Sequence, residues 1–254
     1  MLAVERMRII QTALQKEKQV SVSALSAQLQ VSEETVRRDL EKMTKLDPTI
    51  VRVHGGAYKT GVFDSEMPVQ LRETLSVERK KTIADNCVPF LRVNDTVMLD
   101  CSTTALYLAM AIRQLGCSLT VITNSIRVIE VLQDCEQMKL IMIGGDFRHT
   151  TQSFVGYEAT NMLSHFRADR CFISCTGIHM EFGITDNSEN EVQVRQMMMR
   201  NSRERFLLVD AFKFGRSFLS QLAEPSEFDT VITDAVPSPE WLTYFQSNHT
   251  RLIY

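Results

Sequence analysis

The stretch VSEETVRRDLEKM (31–43), followed after a short connection by IVRVHGGAY (50–58), decides the fold of the N-terminal region. The first piece predicts an amphipathic helix with Ser32 as its N-cap, because acidic residues follow in the first turn, where the helix dipole favours negative charge. Three apolar residues at helical spacing form one face of this helix: Val36, Leu40 and Met43. The pattern therefore leaves Arg37 and Arg38 on the outer sides of a helix that is held from behind.

The residues around this helix predict a winged helix-turn-helix. Two earlier helices are indicated by apolar residues at helical spacing, namely Met7, Ile10 and Leu14, then Ala24, Leu25 and Leu29. Over 50–58 two valines alternate with Arg52 and His54, and Gly55-Gly56 can supply the positive φ of a tight hairpin turn. Because a helix of this width fits a DNA major groove, six side chains are candidates for DNA contact: Ser32, Thr35, Arg37, Arg38, Arg52 and His54. Asp39 is expected to orient an arginine by ion pairing.

The composition limits the number of domains and the way in which the chain could bind nucleic acid. The 254 residues, 44% hydrophobic and 23% charged, can bury one large core and a smaller one, which predicts two domains. The net charge of −3 argues against non-specific wrapping of nucleic acid. Residues 1–58 carry nine Lys and Arg against seven Asp and Glu, so a DNA assignment rests on helix and wing chemistry and not on the overall field.

The sulfur and imidazole residues indicate neither disulfides nor a metal centre. Six cysteines are scattered without a Cys-x-x-Cys pair, and no secretory segment precedes them, so reduced thiols and a cytoplasmic location are expected. The five histidines lack ligand spacing with cysteines or carboxylates, so neither a metal nor a cofactor is expected. No apolar run approaches the ~18 residues that a membrane span requires.

The second half of the chain predicts an α/β domain. Residues 59–75 are polar and irregular, which indicates a linker, and Ser76 is expected to cap a helix to about residue 91 with a basic cluster at 79–81. Short apolar runs then alternate with helical stretches near 104–115 and 126–134. The runs are TVMLD, SLTVIT, KLIMIG, RCFISCT, RFLLVD, DTVITD and RLIY. Runs that are apolar on both faces predict a mostly parallel sheet between helix layers, with domains 1–58 and 76–254.

Polar groups collect where these runs end, which is where ligands bind in such folds. Hydroxyl residues that open a helix offer free N–H groups to a phosphate, and glycines allow close backbone approach. The candidate residues for binding an anion are Asp100, Ser102, Thr103, Thr104, Asn124, Ser125, Gly144, Gly145, Arg148, Gly177 and Lys213.

Each pattern also has a plainer interpretation. Ser102 can simply cap a helix, Gly144-Gly145 can be an ordinary turn, and Lys213 can be a solvated surface lysine. The arginine pair can be a solvated helix face, although the wing that follows favours DNA contact. The methionines at 197–199 are better explained by core packing than by a cofactor, and Cys101 lacks a nearby base that would activate its thiol.

The order of these motifs resembles the DeoR-type family of bacterial transcriptional regulators. The resemblance rests on Thr35-Val36-Arg37-Arg38-Asp39-Leu40 and on Arg52-Val53-His54-Gly55-Gly56-Ala57. It continues through Asp100 to Thr104, Thr123-Asn124-Ser125, Gly144-Gly145-x-x-Arg148, Thr176-Gly177-Ile178, Glu191-x-x-x-Arg195 and Asp210-x-x-Lys213-Phe214-Gly215. It implies a Rossmann-like effector domain similar to the sugar-phosphate isomerase and acyl-CoA transferase fold, which binds a phosphorylated sugar or polyol without converting it.

Three departures from the family pattern stand out. Asp47-Pro48-Thr49 replaces a Gly-centred turn before the wing, Ser102 stands where the family commonly has Gly, and Arg195 where it commonly has Lys. The last keeps the charge but replaces a point donor with a planar fork. The expected protein is a homo-oligomeric repressor that binds operator DNA, is controlled by a phosphorylated sugar, and has no membrane contact. Two alternatives stay open: a sugar-phosphate isomerase with a DNA-binding module, and a DNA-binding platform without a small ligand.

Overall fold

The computed structural model describes residues 2–17, 19–47, 50–53, 55–59 and 67–254, apart from the side chains at 19, 45, 51, 53, 58 and 59. His54, Pro48 and Thr49, named above for the wing and the turn before it, lie outside the described residues. The contacts divide the chain into two compact units, Met1–Leu75 and Ser76–Tyr254. No helix in the described part of the chain is both long and apolar enough to cross a bilayer.

In its described residues the first unit has four helices and a three-stranded sheet with strand order β1-β3-β2. Its elements are α1 (Ala3–Glu17), β1 (Gln19–Ser21), α2 (Val22–Leu29), α3 (Glu33–Leu46), β2 (Ile50–Val53), β3 (Gly56–Lys59) and α4 (Val69–Thr74). The predicted apolar faces of the helices meet in one core, where Ile10, Leu14 and Leu40 are fully buried. This confirms the winged helix-turn-helix.

The wing differs from the sequence expectation at its glycines. Gly55 has φ +86, as a tight turn requires, whereas Gly56 has no positive φ. A Cβ at Gly56 would instead collide with the carbonyl oxygen of Val20 in β1, the third strand that the sequence pattern missed. Gly56 is therefore required for the close approach of β1 and β3 and not for the turn.

The segment before the second unit was expected to be irregular, but its last part is helical. Pro68 stands at the N-cap of α4 without a side-chain cap, and Met67 and Val69 are buried. Proline is well suited to a helix start because its fixed φ fits there and its missing N–H costs nothing. The expectation of irregular structure is thus wrong for residues 69–74.

The second unit is built on a seven-stranded sheet with order β15-β14-β12-β9-β4-β5-β6. Its strands are β4 (Thr96–Leu99), β5 (Thr120–Thr123), β6 (Lys139–Met142), β9 (Ala168–Ser174), β12 (Ser202–Leu208), β14 (Thr230–Ile232) and β15 (Arg251–Ile253). All neighbouring pairs in this sheet are parallel. Each of the seven apolar runs of the sequence supplies one strand, which confirms the parallel Rossmann-like sheet.

Helices cover both faces of this sheet. They are α5 (Val77–Cys87), α6 (Thr103–Leu115), α7 (Ile126–Leu132), α8 (Tyr157–Ser164), α9 (Glu189–Arg200) and α10 (Pro239–Ser247). Alternate residues of one strand enter different cores: Met98 joins one apolar cluster, whereas Val97 and Leu99 join the other. Met198 and Met199 are buried in the first cluster, which confirms core packing for this methionine run.

Two smaller sheets complete the unit, a hairpin of β7 (Asp146–Arg148) with β8 (Ser153–Val155) and a sheet of β10 (Gly177–His179), β11 (Gly183–Asp186) and β13 (Ser220–Ala223). The expected start of α5 needs correction. Ser76 adopts a left-handed φ of +49 and makes no side-chain cap. Arg79, Lys80 and Lys81 do not form a cluster either, because successive helix positions diverge: Lys80 is buried, whereas Lys81 is exposed and paired with Glu78.

Candidate functional site

The strand order places a crevice where β4 and β9 lie side by side. Numbered by their order within this sheet, the strands run 7-6-5-4-1-2-3, so the connections leave β4 and β9 in opposite directions. At such a switch point, loops diverge beyond the carboxyl ends of the two strands and leave a ligand crevice. Asp100 follows β4 directly, and Ser174 ends β9.

Asp100 connects the two sides of this crevice. Its Oδ1 accepts a hydrogen bond from the Ser102 amide at 3.1 Å, and its Oδ2 accepts from the Ser174 amide at 3.1 Å. The side chain is almost fully buried. A carboxylate held by two backbone N–H groups fixes the geometry of both strand ends, so Asp100 positions the site's floor.

Three buried carboxylates surround Arg195 of α9. The guanidinium contacts Asp100 Oδ2 at 2.8 Å, Asp186 Oδ2 at 2.9 Å and Glu191 Oε2 at 3.4 Å. Burial alone lowers the pKa of Arg195, but Asp186, Asp100 and Glu191 more than offset this, so its pKa is raised well above the ordinary value. Arg195 is therefore permanently charged, with its donors directed at protein carboxylates.

Arg148 of β7 approaches the same network from the hairpin. Its Nε lies 3.2 Å from Glu191 Oε1, close enough for an ion pair. Neither of these two buried atoms has a properly aligned hydrogen bond, so the contact is electrostatic and leaves one acceptor position on Glu191 unused. The interior group thus holds two arginines against three carboxylates, a net charge of −1 before Lys213 is counted.

Lys213 lies on the opposite side of Asp100. It ends a 3-10 turn, Ala211–Lys213, whose N-cap is Asp210. The ammonium donates to Ser174 Oγ at 3.0 Å and lies 3.7 Å from Asp210 Oδ2. Its side chain is 22% exposed, so Lys213 is a cation that faces both the crevice and solvent, and not a freely solvated surface lysine.

Two helix starts border the crevice. Ser102 caps α6 by accepting from the Ala105 amide at 3.0 Å, and Thr103 and Thr104 fill the first turn. Ser125 caps α7 and pairs through its backbone with Ser153 of β8. Asn124 donates from Nδ2 to the Phe154 carbonyl at 2.8 Å, while its buried Oδ1 has no hydrogen-bond partner within the described residues.

Two of the three glycines of the candidate set have roles within the chain itself. Gly145 has φ +144, and a Cβ there would lie 2.6 Å from the Val155 carbonyl oxygen, so this glycine permits the β7–β8 hairpin. A Cβ at Gly177 would lie 2.6 Å from the Arg216 carbonyl oxygen. Gly144, by contrast, faces open space. The close approach predicted for Gly145 is therefore made by protein backbone.

The structure adds three residues that the candidate set omitted. Asp186 is a partner of Arg195, Ser174 bridges Asp100 and Lys213, and Ser153 pairs with Ser125. Asp186 ends β11, a short strand in a Gly-rich stretch that sequence periodicity did not separate from a loop. A polar run, Asp186-Asn187-Ser188, before the α9 helix is the sequence signal that could have identified it.

On the first unit, the arginine pair of α3 faces outward. Arg37 contacts Glu33 at 2.7 Å and Arg38 contacts Glu34 at 3.7 Å, with 45% and 74% of the two arginine side chains exposed. Exposed i,i+4 pairs of this kind are worth only about 0.3–0.5 kcal/mol, so either arginine can exchange its glutamate for a phosphate at little cost. Arg52 of β2 is exposed as well.

The start of α3 is capped as expected. Ser32 accepts from the Thr35 amide at 3.3 Å, and the two hydroxyls lie 2.9 Å apart. The buried carboxylate of Asp39 accepts hydrogen bonds from Nε and Nη2 of Arg6, at 2.7 and 3.2 Å. This fork joins α1 to α3 and confirms that Asp39 orients an arginine, because a bidentate pair fixes direction as well as distance.

Comparison with known proteins agrees with this geometry. Residues 6–60 match the DeoR-like helix-turn-helix domain, and residues 75–235 match the DeoR C terminal sensor domain. The chain is 33% identical to the uncharacterized HTH-type transcriptional regulator YulB of Bacillus subtilis (strain 168), over 94% of this chain and 92% of that protein.

Two relatives with named roles are similar over nearly their whole length. The lactose phosphotransferase system repressor of Staphylococcus epidermidis is 32% identical over 91% of each chain. The HTH-type transcriptional repressor GlcR of Bacillus subtilis (strain 168) is 30% identical, over 98% of this chain and 95% of that one. These relatives are regulators, so the isomerase alternative finds no support. The chain belongs to the DeoR family of transcriptional regulators.

Proposed function

We propose that this regulator represses a carbohydrate-utilisation operon and is controlled by a phosphorylated sugar or polyol that binds in the crevice at β4 and β9. Residues 1–58 bind operator DNA, 59–75 connect, and 76–254 sense the metabolite. The named relatives, a lactose phosphotransferase system repressor and GlcR, support repression and a carbohydrate signal. We place the protein in the cytoplasm, where its DNA is, as a homo-oligomer.

One observation carries the proposal. A hydrogen-bonded path joins the α6 start to the partly exposed ammonium of Lys213: the Ser102 amide to Asp100, Asp100 to Ser174, and Ser174 to Lys213. A helix N-terminus beside a lysine is well suited to a phosphate, because free N–H groups and a positive charge converge there. The phosphate is therefore assigned to Thr103, Thr104 and Lys213.

The side of the crevice that carries the carboxylates around Arg195 is assigned to the sugar part of the effector and not to its phosphate. The group around Arg195 has a net negative charge and would repel a phosphate, so Asp100 and Arg195 are positioning residues in this proposal, and Glu191 is assigned to the sugar. Glu191 Oε1 and Asn124 Oδ1 are buried acceptors without a hydrogen bond. Buried acceptors need donors, and sugar hydroxyls supply them. Arg148 and Ser125 then border the sugar, while Gly144, Gly145 and Gly177 shape the loops.

The DNA-binding half acts through α3 and the wing. Arg37 and Arg38 contact bases or phosphates in the major groove, with Ser32 and Thr35 at the helix start, while Arg52 and His54 hold the backbone from the wing. A two-fold oligomer would place two such helices about 34 Å apart, one turn of DNA. The proposal therefore includes an operator with two half-sites.

Selection of bound duplexes from a random pool would identify the operator, and gel shifts would then test the arginines. We expect Arg37→Ala with Arg38→Ala to weaken binding at least tenfold and to lower the salt slope by about two for each half-site, since each arginine that contacts the DNA backbone neutralises one phosphate. The matched control is Arg113→Ala with Arg203→Ala, which removes the same charge from exposed arginines of the second unit. Equal binding by the two double variants would refute the assignment.

A melting experiment tests the sensor. Glucose 6-phosphate, fructose 6-phosphate, tagatose 6-phosphate, glycerol 3-phosphate, their parent sugars or polyol, and inorganic phosphate are compared. At ~100 times its dissociation constant, a binding compound stabilises the fold by ~2.7 kcal/mol. We expect a shift from at least one phosphorylated compound, lost in Lys213→Met. If no compound of this class shifts the transition, the proposed effector class is wrong.

A further inference from the structure

Arg79, on the first helix of the second unit, stacks on the largely exposed ring of Phe212. Its Cζ lies 3.7 Å from the centroid of the Phe212 ring. Phe212 is 57% exposed, which is unusual for a phenylalanine next to a polar crevice. Because a guanidinium stacked on an aromatic face is attracted by the ring's quadrupole, this contact holds α5 to the turn that contains Phe212.

Asp234, just beyond β14, strengthens the same junction with both of its oxygens. Oδ2 lies 3.3 Å from Nη1 of Arg79, and Oδ1 accepts from the Ala211 amide at 2.7 Å. The Asp234 side chain is only 6% exposed. One buried carboxylate thus ties the helix and the turn to each other, in addition to the stacking contact.

The turn has two opposed faces on consecutive residues. Phe212 faces Arg79, whereas Lys213 donates to Ser174 in the crevice. The following Phe214 is anchored in the core at 5.0 Å from the ring of Trp241. Both side chains stand on one short turn capped by Asp210, so a displacement of the turn's backbone moves Lys213 and Phe212 together.

Arg79 contributes to this junction from the start of α5, where the chain continues from residues 1–75 into the second unit. Arg79 lies in the first turn of α5, and the Lys80 amide donates to the Ser76 carbonyl at 3.1 Å. Ser76 itself has φ +49, a conformation that costs free energy in a residue other than glycine. Such a residue persists only where its surroundings hold it, and the Arg79 contacts are part of those surroundings.

We propose that Arg79, Phe212 and Asp234, here called the α5 clamp, transmit occupancy of the crevice to the start of α5 and so to the DNA-binding unit. The inference rests on the proposed function, since it assigns the regulation of that same site. Binding that draws Lys213 toward a phosphate shifts the turn, and the clamp passes the shift to α5. The three residues are positioning residues, because none is assigned a contact with sugar or DNA.

The first test needs no ligand. Hydrogen exchange of the 77–87 peptide is measured in four full-length chains: wild type, Lys213→Met, Phe212→Leu, and the double variant. We expect Lys213→Met to raise exchange at least threefold in the wild-type background and to have no further effect when Phe212 is leucine. The 239–247 peptide of α10 is the internal control, and melting checks that each chain folds.

Conservative variants separate transmission from simple packing. Phe212→Trp retains an aromatic face and should restore the response to Lys213→Met, whereas Phe212→Leu keeps apolar bulk and should not. Arg79→Met should resemble Phe212→Leu. If Lys213→Met leaves the α5 peptide unchanged in the wild type, or changes it equally in both backgrounds, the clamp is not the connection.

The second test measures linkage directly. Affinity for the selected duplex is compared with and without whichever of the five phosphate compounds shifts the melting transition. Typical allosteric couplings change affinity roughly 5- to 150-fold. The measured quantity is the ratio of duplex affinities with and without the compound. We expect Phe212→Leu and Arg79→Met to bring this ratio close to one. The affinity for the compound alone and the affinity for the duplex alone should stay within about threefold of the wild-type values. A wild-type ratio that both variants retain would overturn the clamp.

The two tests distinguish two failures. If no phosphate compound binds, or none changes duplex affinity in the wild type, the proposed function is wrong, and the exchange experiment still decides whether the clamp connects the crevice to α5. If the wild type shows linkage and the clamp variants show the same linkage, the function stands and the signal passes elsewhere.

Discussion

Arg195 shows how one residue can change its role between sequence and structure. A planar fork beside a phosphate-binding motif predicts ligand contact, but three buried carboxylates occupy this guanidinium. Sequence spacing could have suggested Glu191, one helical turn before Arg195. Asp100 and Asp186 come from distant strands, and only the sheet topology brings them together.

We expect Arg195→Met to destabilise the second unit by about 3–5 kcal/mol, because removal of one member of a buried ion network leaves the others without compensation. Arg195→Lys keeps the charge and should cost less. Urea unfolding measures both. The matched control is Arg203→Met, whose ion pair with Asp169 is mostly exposed and whose loss should be nearly neutral. Equal losses for the Arg195 and Arg203 variants would contradict this account of the network.

The cysteines give a second prediction at this scale. Desolvation by burial raises the pKa of Cys101, Cys171 and Cys175 to about 12 each, so almost no thiolate forms at neutral pH. Only a thiolate reacts readily with a disulfide reagent. We expect Ellman's reagent at pH 8 to label native protein mainly at the partly exposed Cys117, and all six cysteines in denaturant. Rapid native labelling of Cys101 would show that its pocket opens.

At the scale of elements, the sequence predicted the strands that are continuous apolar runs and the helices that begin at a capping serine. Seven apolar runs gave seven parallel strands, and the capping serines at 32, 102 and 125 each begin a helix. The short strands β1, β7, β8, β10, β11 and β13 were missed, because none of them contains a continuous apolar run. β1 and β13 also pair with strands that are distant in sequence. Ser76 was predicted as a cap from its residue type, yet its backbone adopts a left-handed conformation that residue type does not encode.

The start of α6 gives a prediction for an element. Ser102→Ala should destabilise the second unit by about 1 kcal/mol, since the Ala105 amide loses its acceptor, whereas Ser102→Gly should cost only a few tenths. Urea unfolding measures both variants. Ser247→Ala is the control, because its exposed hydroxyl bonds only to the carbonyl one turn earlier in α10. A larger loss for glycine than for alanine would show that Ser102 does more than cap the helix.

At the scale of the whole molecule, the chain holds separate cores. The first unit packs around Ile10, Leu14 and Leu40, and the second around the two clusters on either side of its sheet. Neither cluster of the second unit includes a residue of the first. Binding of DNA and binding of a metabolite should therefore stabilise different parts of the chain. The two binding events can influence each other only if both ligands bind one conformation of the chain more tightly than another.

This separation can be measured because the single tryptophan, Trp241, lies in α10 of the second unit. Tryptophan fluorescence reports unfolding of that unit alone, whereas circular dichroism at 222 nm reports both. We expect a binding sugar phosphate at ~100 times its dissociation constant to raise the fluorescence transition by roughly 5–10 °C, from ~2.7 kcal/mol of stabilisation in a unit of this size. The selected duplex should instead raise the transition that only circular dichroism detects.

The Arg37→Ala, Arg38→Ala chain is the control for the duplex, and Lys213→Met for the sugar phosphate. Each should abolish one shift and leave the other, because each removes contacts to one ligand in one unit. A sugar phosphate that raised only the transition seen by circular dichroism would place its site outside the crevice of the second unit. Coincident transitions by fluorescence and circular dichroism, raised together by either ligand, would instead show that the two units unfold cooperatively as one.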